Sequence, residues 1–350
     1  MTASYYGDEL VTLRAPFPWF GGKSRVAADV WQRFGDTPNF VEPFAGSMAV
    51  LLGRPVKHAA KVETVNDLDG FIANFWRAIK LDPEATAHWC DWPVIESDLT
   101  ARHAWLVGQR ESLLRRLEGD PEFFDSKIAG WWVAGVCGWI GSGFCSGEGP
   151  WSVVAGELVN NRQMPHLTNA GQGVNRKMPH LTNAGQGVNR QMPHVGDAGQ
   201  GVNRWFDDLS NRLRRVRVLN GDWERALSES VTFRHGITAV FLDPPYGEEV
   251  EQTRVYATDS GTVSADVRKW CVENGNNSLL RIALCGYEGE GHDELLDYGW
   301  NAHAWKTSGG YGGGRGGVGD ANRHKERIYF SPACLGEDES QQAFDLGDIA

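Results

Sequence analysis

The stretch from Asn39 to Asp67 constrains this chain most, because it joins an apolar run to a glycine turn and then to a second run that ends in an acid. Asn39-Phe-Val-Glu-Pro-Phe-Ala-Gly-Ser47 reads as a short buried strand entering a tight turn, and the small and apolar residues after it can begin a helix. Lys61-Val-Glu-Thr-Val-Asn66 reads as the next strand, with Asp67 at its end and a helix following to about Lys80. Gly46 and Asp67 stand 21 positions apart. This order of elements can hold a nucleotide: the turn lets a ligand approach the backbone, and the acid takes ribose hydroxyls.

Further strands are expected at 216–219, 239–242, 279–285 and 327–330, with helical patterns near 263–275 and 291–298. Together they predict an α/β fold with a mainly parallel sheet. A chain of 350 residues, 41% of them hydrophobic, can supply the core of one large domain with an insertion or of two modest ones. Between the second and third strands lie about 140 residues of a different texture. They include an apparently helical, Trp-rich stretch from Pro121 to Trp139 and the glycine-rich Gly141-Ser-Gly-Phe-Cys-Ser-Gly-Glu-Gly-Pro-Trp151, and are read as an insertion or second domain. Inside this region NRQMPHLTNAGQGV, NRKMPHLTNAGQGV and NRQMPHVGDAGQGV follow one another from Asn161, Asn175 and Asn189. Each 14-residue copy holds a proline and at least two glycines, which favours turns or a loop over helices and suggests duplication within a tolerant surface loop. The run Gly309–Gly319 fits G-x-G-x-x-G in several registers, so that match carries no information, and it reads as a flexible loop. The acidic and polar end of the chain reads as a disordered tail.

Net charge is −11, yet residues 161–217 hold nine Arg or Lys against three acids. A basic insert in an acidic body suits a polyanion-binding face, and the plainer reading is a solvated loop with scattered arginines. Arg162, Arg176, Arg190 and Arg204 are the candidate DNA contacts, since Arg reaches phosphates and base edges. His166, His180 and His194 recur at regular spacing, but no metal is expected. Six cysteines form no C-x-x-C pair, so reduced, mostly buried thiols are expected. MTASYYGDEL lacks the regions of a signal peptide and no run approaches the roughly 18 apolar residues of a membrane span, which points to the cytoplasm.

The apolar run Thr238-Ala-Val-Phe-Leu242 delivers Asp243-Pro244-Pro245-Tyr246. The Asp243 carboxylate and the Pro244 carbonyl can accept hydrogen bonds from a flat NH2 group while the Tyr246 ring stacks on the heterocycle carrying it. Such a site suits methylation of an exocyclic amine, although a strand followed by a proline-stiffened turn is an equal reading of four residues alone. Upstream, Pro16-Phe-Pro-Trp-Phe-Gly-Gly-Lys-Ser24 invites a phosphate-loop reading. That reading fails, because the loop needs glycine at position 17, which is Phe17, and no strong strand precedes it.

With these three segments in this order, the chain resembles the Dam-like, alpha-class N6-adenine DNA methyltransferases. F-P-W-F-G-G-K-S resembles their motif X, F-V-E-P-F-A-G-S their motif I and D-P-P-Y their motif IV. The resemblance implies a Rossmann-like S-adenosylmethionine-dependent methyltransferase fold with an inserted, partly helical target-recognition domain. It implies donor contacts from Trp19, Gly22, Lys23, Glu42, Pro43, Phe44, Gly46 and Asp243, with Asp67 at the ribose and Asp222 near the adenine. Catalysis falls to Asp243, Pro244, Pro245 and Tyr246, acting on a flipped adenine in double-stranded DNA without metal or covalent cysteine. Residues 10–80 and 216–335 then form the methyltransferase domain, 81–215 the target-recognition region with repeats at 161–202, and 336–350 the tail. Trp31 and Phe44 read as core, and Trp131 and Trp132 as packing residues.

One departure is Gly46-Ser-Met48, where many relatives carry a second glycine. Cytosine N4, adenine in RNA, and a catalytically silent DNA-binding module remain open, as do a phage or prophage origin and a cognate restriction endonuclease as partner. A small-molecule methyltransferase leaves the basic insertion unexplained.

Overall fold

The computed structural model describes residues 13–19, 23–55, 58, 61–91, 95–139, 144–145, 151–154, 157–160, 200–245, 263–305 and 326–336. Gly22, Tyr246, Arg162, Arg176 and Arg190 lie outside the described residues, as do the repeats up to 199, the Gly309–Gly319 run and the tail from 337.

Seven strands form one sheet: β1 (Asn39–Glu42), β2 (Val62–Asp67), β5 (Val216–Asn220), β6 (Thr238–Leu242), β7 (Leu280–Tyr287), β8 (Asn301–Ala304) and β9 (Glu326–Phe330). A separate antiparallel hairpin joins β3 (Trp151–Val154) to β4 (Glu157–Asn160). The sheet order is β5-β2-β1-β6-β7-β9-β8. All pairs from β5 to β7 are parallel, whereas β9 runs antiparallel to both β7 and β8. The chain winds outward from β1 through β2 to β5, returns to β6, and continues the other way. That reversal opens a crevice beyond the carboxyl ends of β1 and β6, where ligands bind in open α/β sheets. Because β9 alone is reversed, it is its first residue, Glu326, that reaches this edge.

Every residue of β1 and β6 is buried, as expected of central strands covered on both faces. Phe40, Ala239 and Phe241 face one core cluster while Val41, Val240 and Leu242 face the other, following the two-residue alternation of a strand. The first cluster takes in Trp31 at 1% exposure together with α3 (Gly70–Leu81). Asp69 caps α3 by accepting from Phe71 N at 2.9 Å. Gly70 to Ile79 are all buried, since the sheet covers one side of α3 and the insertion the other.

The insertion contributes α4 (Pro83–Cys90), α5 (Glu96–Gly119), α6 (Ser126–Gly138) and α7 (Gln200–Leu213), while α1 (Ala27–Phe34), α2 (Ala49–Leu52) and α8 (Val263–Asn274) complete the helices. Ile128, Trp132, Cys137 and Phe206 of the insertion join the same cluster as Phe40 and Trp76. Phe17 binds the two parts, its ring 5.3 Å from Phe75, 5.8 Å from Trp76 and 5.1 Å from Trp132. Trp131 is half-buried, with Lys127 4.5 Å and Arg102 4.4 Å from its ring centre.

The Trp-rich stretch is helical only over α6, because Asp125 caps it by accepting from Ile128 N at 2.9 Å and so fixes its start. The pattern near 291–298 becomes a 3-10 turn, His292–Tyr298, bounded by Gly291 and Gly299 in left-handed conformations. All six cysteines are free. Among the described residues no helix is long and apolar enough to cross a membrane, and no cluster of His, Cys, Asp and Glu has the makings of a metal site.

Candidate active site

The crevice is built from strand ends. After β1 the chain turns at Gly46, whose φ of +44° lies in the left-handed region. A Cβ there would stand 2.5 Å from Trp19 Nε1, so Gly46 is required both by its conformation and by the indole lying over it. Gly46 N donates to Asp67 Oδ2 at 2.9 Å, and Trp76 Nε1 donates to Gly46 O at 2.9 Å. Met48 is also left-handed, with φ +51°, at the position where a second glycine would be at ease. Such a conformation costs a non-glycine residue about 1–2 kcal/mol, which the fully buried Met48 side chain offsets within the core.

Asp67 accepts from Asp69 N at 2.9 Å through its other oxygen. Burial pushes its carboxyl up to about 7 against the pull of the Gly46 and Asp69 N–H groups. Glu42 is 2% exposed and accepts from Leu51 N at 3.3 Å. Its burial raises the carboxyl well above the usual range, opposed by that N–H, with Asp243 and Asp67 raising it further. Asn66 Nδ2 donates to Pro43 O at 3.0 Å and Gly221 O at 2.9 Å, and Asn220 Nδ2 donates to Asp67 O at 2.8 Å. These two amides lash together the ends of β1, β2 and β5. The sequence reading passed over them, although a buried Asn at a strand end must find partners. Asp222 is exposed and accepts from Glu224 N at 2.8 Å, opening the 3-10 turn Trp223–Leu227. Phe44, half-buried, stacks on Trp223 with centroids 6.1 Å apart and planes at 27°.

The opposite wall carries Asp243 at the end of β6. Lys23, 3% exposed in the turn Lys23–Arg25, places Nζ 2.9 Å from Asp243 Oδ2 and 5.7 Å from the centre of the Trp305 ring. Burial alone would lower the Lys23 ammonium, but Asp243, Cys285 and Glu326 outweigh it and hold the group above its ordinary value, fully charged. Glu326 is 4% exposed. Burial pushes it up to about 7; Lys23 pulls it down and Asp243 raises it. The Cys285 thiol is driven well up by burial and stays neutral.

The fold therefore brings Lys23, Glu42, Gly46, Asp67 and Asp243 to one edge, with Trp19 over the turn, Pro43 tied by Asn66 and Asp222 beyond the neighbouring strand. Pro244 is buried and Pro245 half-buried. Arg204 is exposed on α7. Arg212, one of the basic residues counted in 161–217, is used internally, donating to Glu63 at 2.7 and 2.9 Å.

Residues 19–98 match the model of the family described as D12 class N6 adenine-specific DNA methyltransferase. Over these 80 of the 350 residues the chain is similar to that family. None of the curated proteins matches it. The similarity to the family supports methyl transfer from S-adenosylmethionine to adenine N6 in DNA, on a Rossmann-like fold. The matched segment covers one wall of the crevice, from Trp19 through the Gly46 turn and Asp67 to α5. The residues of the crevice suit that donor chemically, since the acids Glu42, Asp67 and Asp243 at the strand ends favour a sulfonium cation. Asp67 ends β2 where an acid can take ribose hydroxyls, and Asp222 beside the Phe44–Trp223 stack offers an acceptor next to a flat apolar face.

Proposed function

We propose that this methyltransferase works in the crevice between the ends of β1 and β6, with Asp243 and the Pro244 carbonyl receiving the amine of a flipped adenine and Tyr246 stacking on its ring. The observation that carries the reading is the convergence of Asp243, paired with buried Lys23, and the Asp67-locked Gly46 turn at the point where the strand order reverses.

S-adenosylmethionine, when bound, supplies an electrophilic methyl group on a sulfonium cation. The Gly46 turn and Glu42 hold its methionine end, Asp67 the ribose and Asp222 the adenine, with Trp19 and Lys23 closing the N-terminal side and Gly22, Pro43 and Phe44 completing the contact. An adenine stacked in the duplex keeps N6 out of reach, so it must leave the helix at a cost of about a few kcal/mol. Stacking on Tyr246 offsets about 1–3 kcal/mol of that. Asp243 and Pro244 O accept the two N6–H groups, turning the nitrogen lone pair toward the methyl carbon. The contribution is one of orientation and of fixed charge near the developing ammonium. No strong base is needed, since N6 becomes acidic only as the new bond forms.

Residues 81–215 serve as the target-recognition region on this reading, with Arg162, Arg176, Arg190 and Arg204 on the DNA. The protein works in the cytoplasm, and its modified site shields DNA from a cognate restriction endonuclease where one accompanies it. Incubating the protein with S-adenosylmethionine and unmethylated double-stranded DNA, then identifying nucleosides by mass spectrometry, tests the reading. N6-methyladenine from the native protein and none from Asp243→Ala is the expected outcome; undiminished product from Asp243→Ala overturns it.

A further inference from the structure

Glu326 has no part in the donor site or in the D-P-P segment, yet it lies within the same charged group. Five ionisable side chains meet at this edge from five different parts of the chain: Lys23 from the N-terminal turn, Glu42 from β1, Asp243 from β6, Cys285 from β7 and Glu326 from β9. Glu326 is 4% exposed, and its Oε2 has no hydrogen-bond partner among the described residues. A carboxylate oxygen left without a donor away from water is expensive, and a glutamine or an apolar residue at the head of β9 would avoid the expense. Backbone pairing does not require an acid there: Glu326 O accepts from Trp305 N, and its register partner is Tyr287, contacts any residue could make. Lys23 Nζ lies 5.7 Å from the centre of the Trp305 ring, and Trp305 N donates to Glu326 O, so what a carboxylate at 326 adds is a second negative charge near the Lys23 ammonium.

We propose that Glu326 is a positioning residue for methyl transfer, acting on Asp243 through Lys23. The proposal rests on the reading of Asp243 as the group that accepts the N6 hydrogens. Lys23 is the cation of the group and Asp243 holds it at 2.9 Å. A second carboxylate draws part of the ammonium's charge away from Asp243. The Asp243 oxygens then stay strong acceptors for the target amine instead of being neutralised by their own partner. With Glu326 neutral, more of the ammonium's charge falls on Asp243 and the amine is held less firmly.

The test uses the full chain with Glu326→Gln, which keeps the shape of the side chain, and follows S-adenosylmethionine affinity, kcat and melting temperature between about pH 6 and pH 8.5. Native enzyme should show kcat rising as Glu326 ionises near pH 7. Asp67, which also titrates near 7, sits on the donor side and should register in affinity instead. Glu326→Gln should lower kcat roughly tenfold or more, as a loss of positioning does, and flatten that rise while donor affinity holds and the melting temperature does not drop below that of the native protein. Unchanged kcat with an unchanged pH profile overturns the proposal. So does a loss of kcat that comes only with lost donor affinity and a lowered melting temperature, since that marks a structural role. Asp243→Asn, run alongside, separates the two readings: full activity there removes the premise, whereas an inactive Asp243→Asn with a fully active Glu326→Gln removes only the inference.

Discussion

Burial takes Lys23 out of water, and a desolvated ammonium is tolerable only with a carboxylate against it. Asp243 meets that need at 2.9 Å, its own side chain 21% exposed. Lys23→Met should leave Asp243 without this partner and destabilise the fold by about 3 kcal/mol, while Lys23→Met with Asp243→Asn should recover much of the loss. Thermal melts of the two single variants and the double variant measure it. The lysine and the aspartate were both legible in the sequence because each sits in a run whose neighbours announce it. Glu326 was not, since nothing in Glu-Arg-Ile-Tyr-Phe tells that the strand runs against its neighbours and starts where they end. Nor does the sequence tell which charges of the basic stretch are used internally: Arg212 finds its partner, Glu63, 149 positions away.

Strand ends decide the shape of the donor side, and side chains from one strand fix the ends of the others. Asn66→Leu should orphan the Pro43 and Gly221 carbonyls, costing about 1–3 kcal/mol, and weaken S-adenosylmethionine binding more than it lowers kcat. Calorimetric titration beside single-turnover rates separates the two. Gly46→Ala should impair the same turn more severely, because the new Cβ meets Trp19 at a backbone angle alanine resists; donor affinity measured by the same titration reports it. The central strands were readable as apolar runs and the turn as glycine after Pro-Phe-Ala. By contrast β8, Asn-Ala-His-Ala, has neither β-branched residues nor alternation, and it exists because β9 offers it an edge. The 24-residue α5 also escaped the reading, since polar residues interrupt its apolar face.

For the molecule as a whole, acids gathered at one edge make stability depend on pH. Asp67 and Glu326 both titrate near 7 in the folded protein, above the values of 3.8 and 4.5 that they have in an unfolded chain. The folded state therefore binds more protons between about pH 4 and pH 7. Their stabilising contribution is full below about pH 4 and is lost as pH rises through 7, Glu42 acting in the same direction. Melting temperature should accordingly fall less between about pH 5.5 and pH 8 in Glu326→Gln than in the native protein. S-adenosylmethionine should raise it more at about pH 8 than at pH 6, since ionised acids favour a cation. The general fold was within reach of the sequence because hydrophobic runs and turns are local signals. The joint core was not, because it depends on Phe17 lying between Phe75 and Trp132. That ring has a consequence for how such a protein can change its target. The helices after α3 are no detachable cassette, and swapping 81–215 wholesale with a relative would tear out part of the interior that supports the donor turn. On the proposed reading of 81–215 as the target-recognition region, new specificities enter between α6 and α7, where the three tandem copies lie.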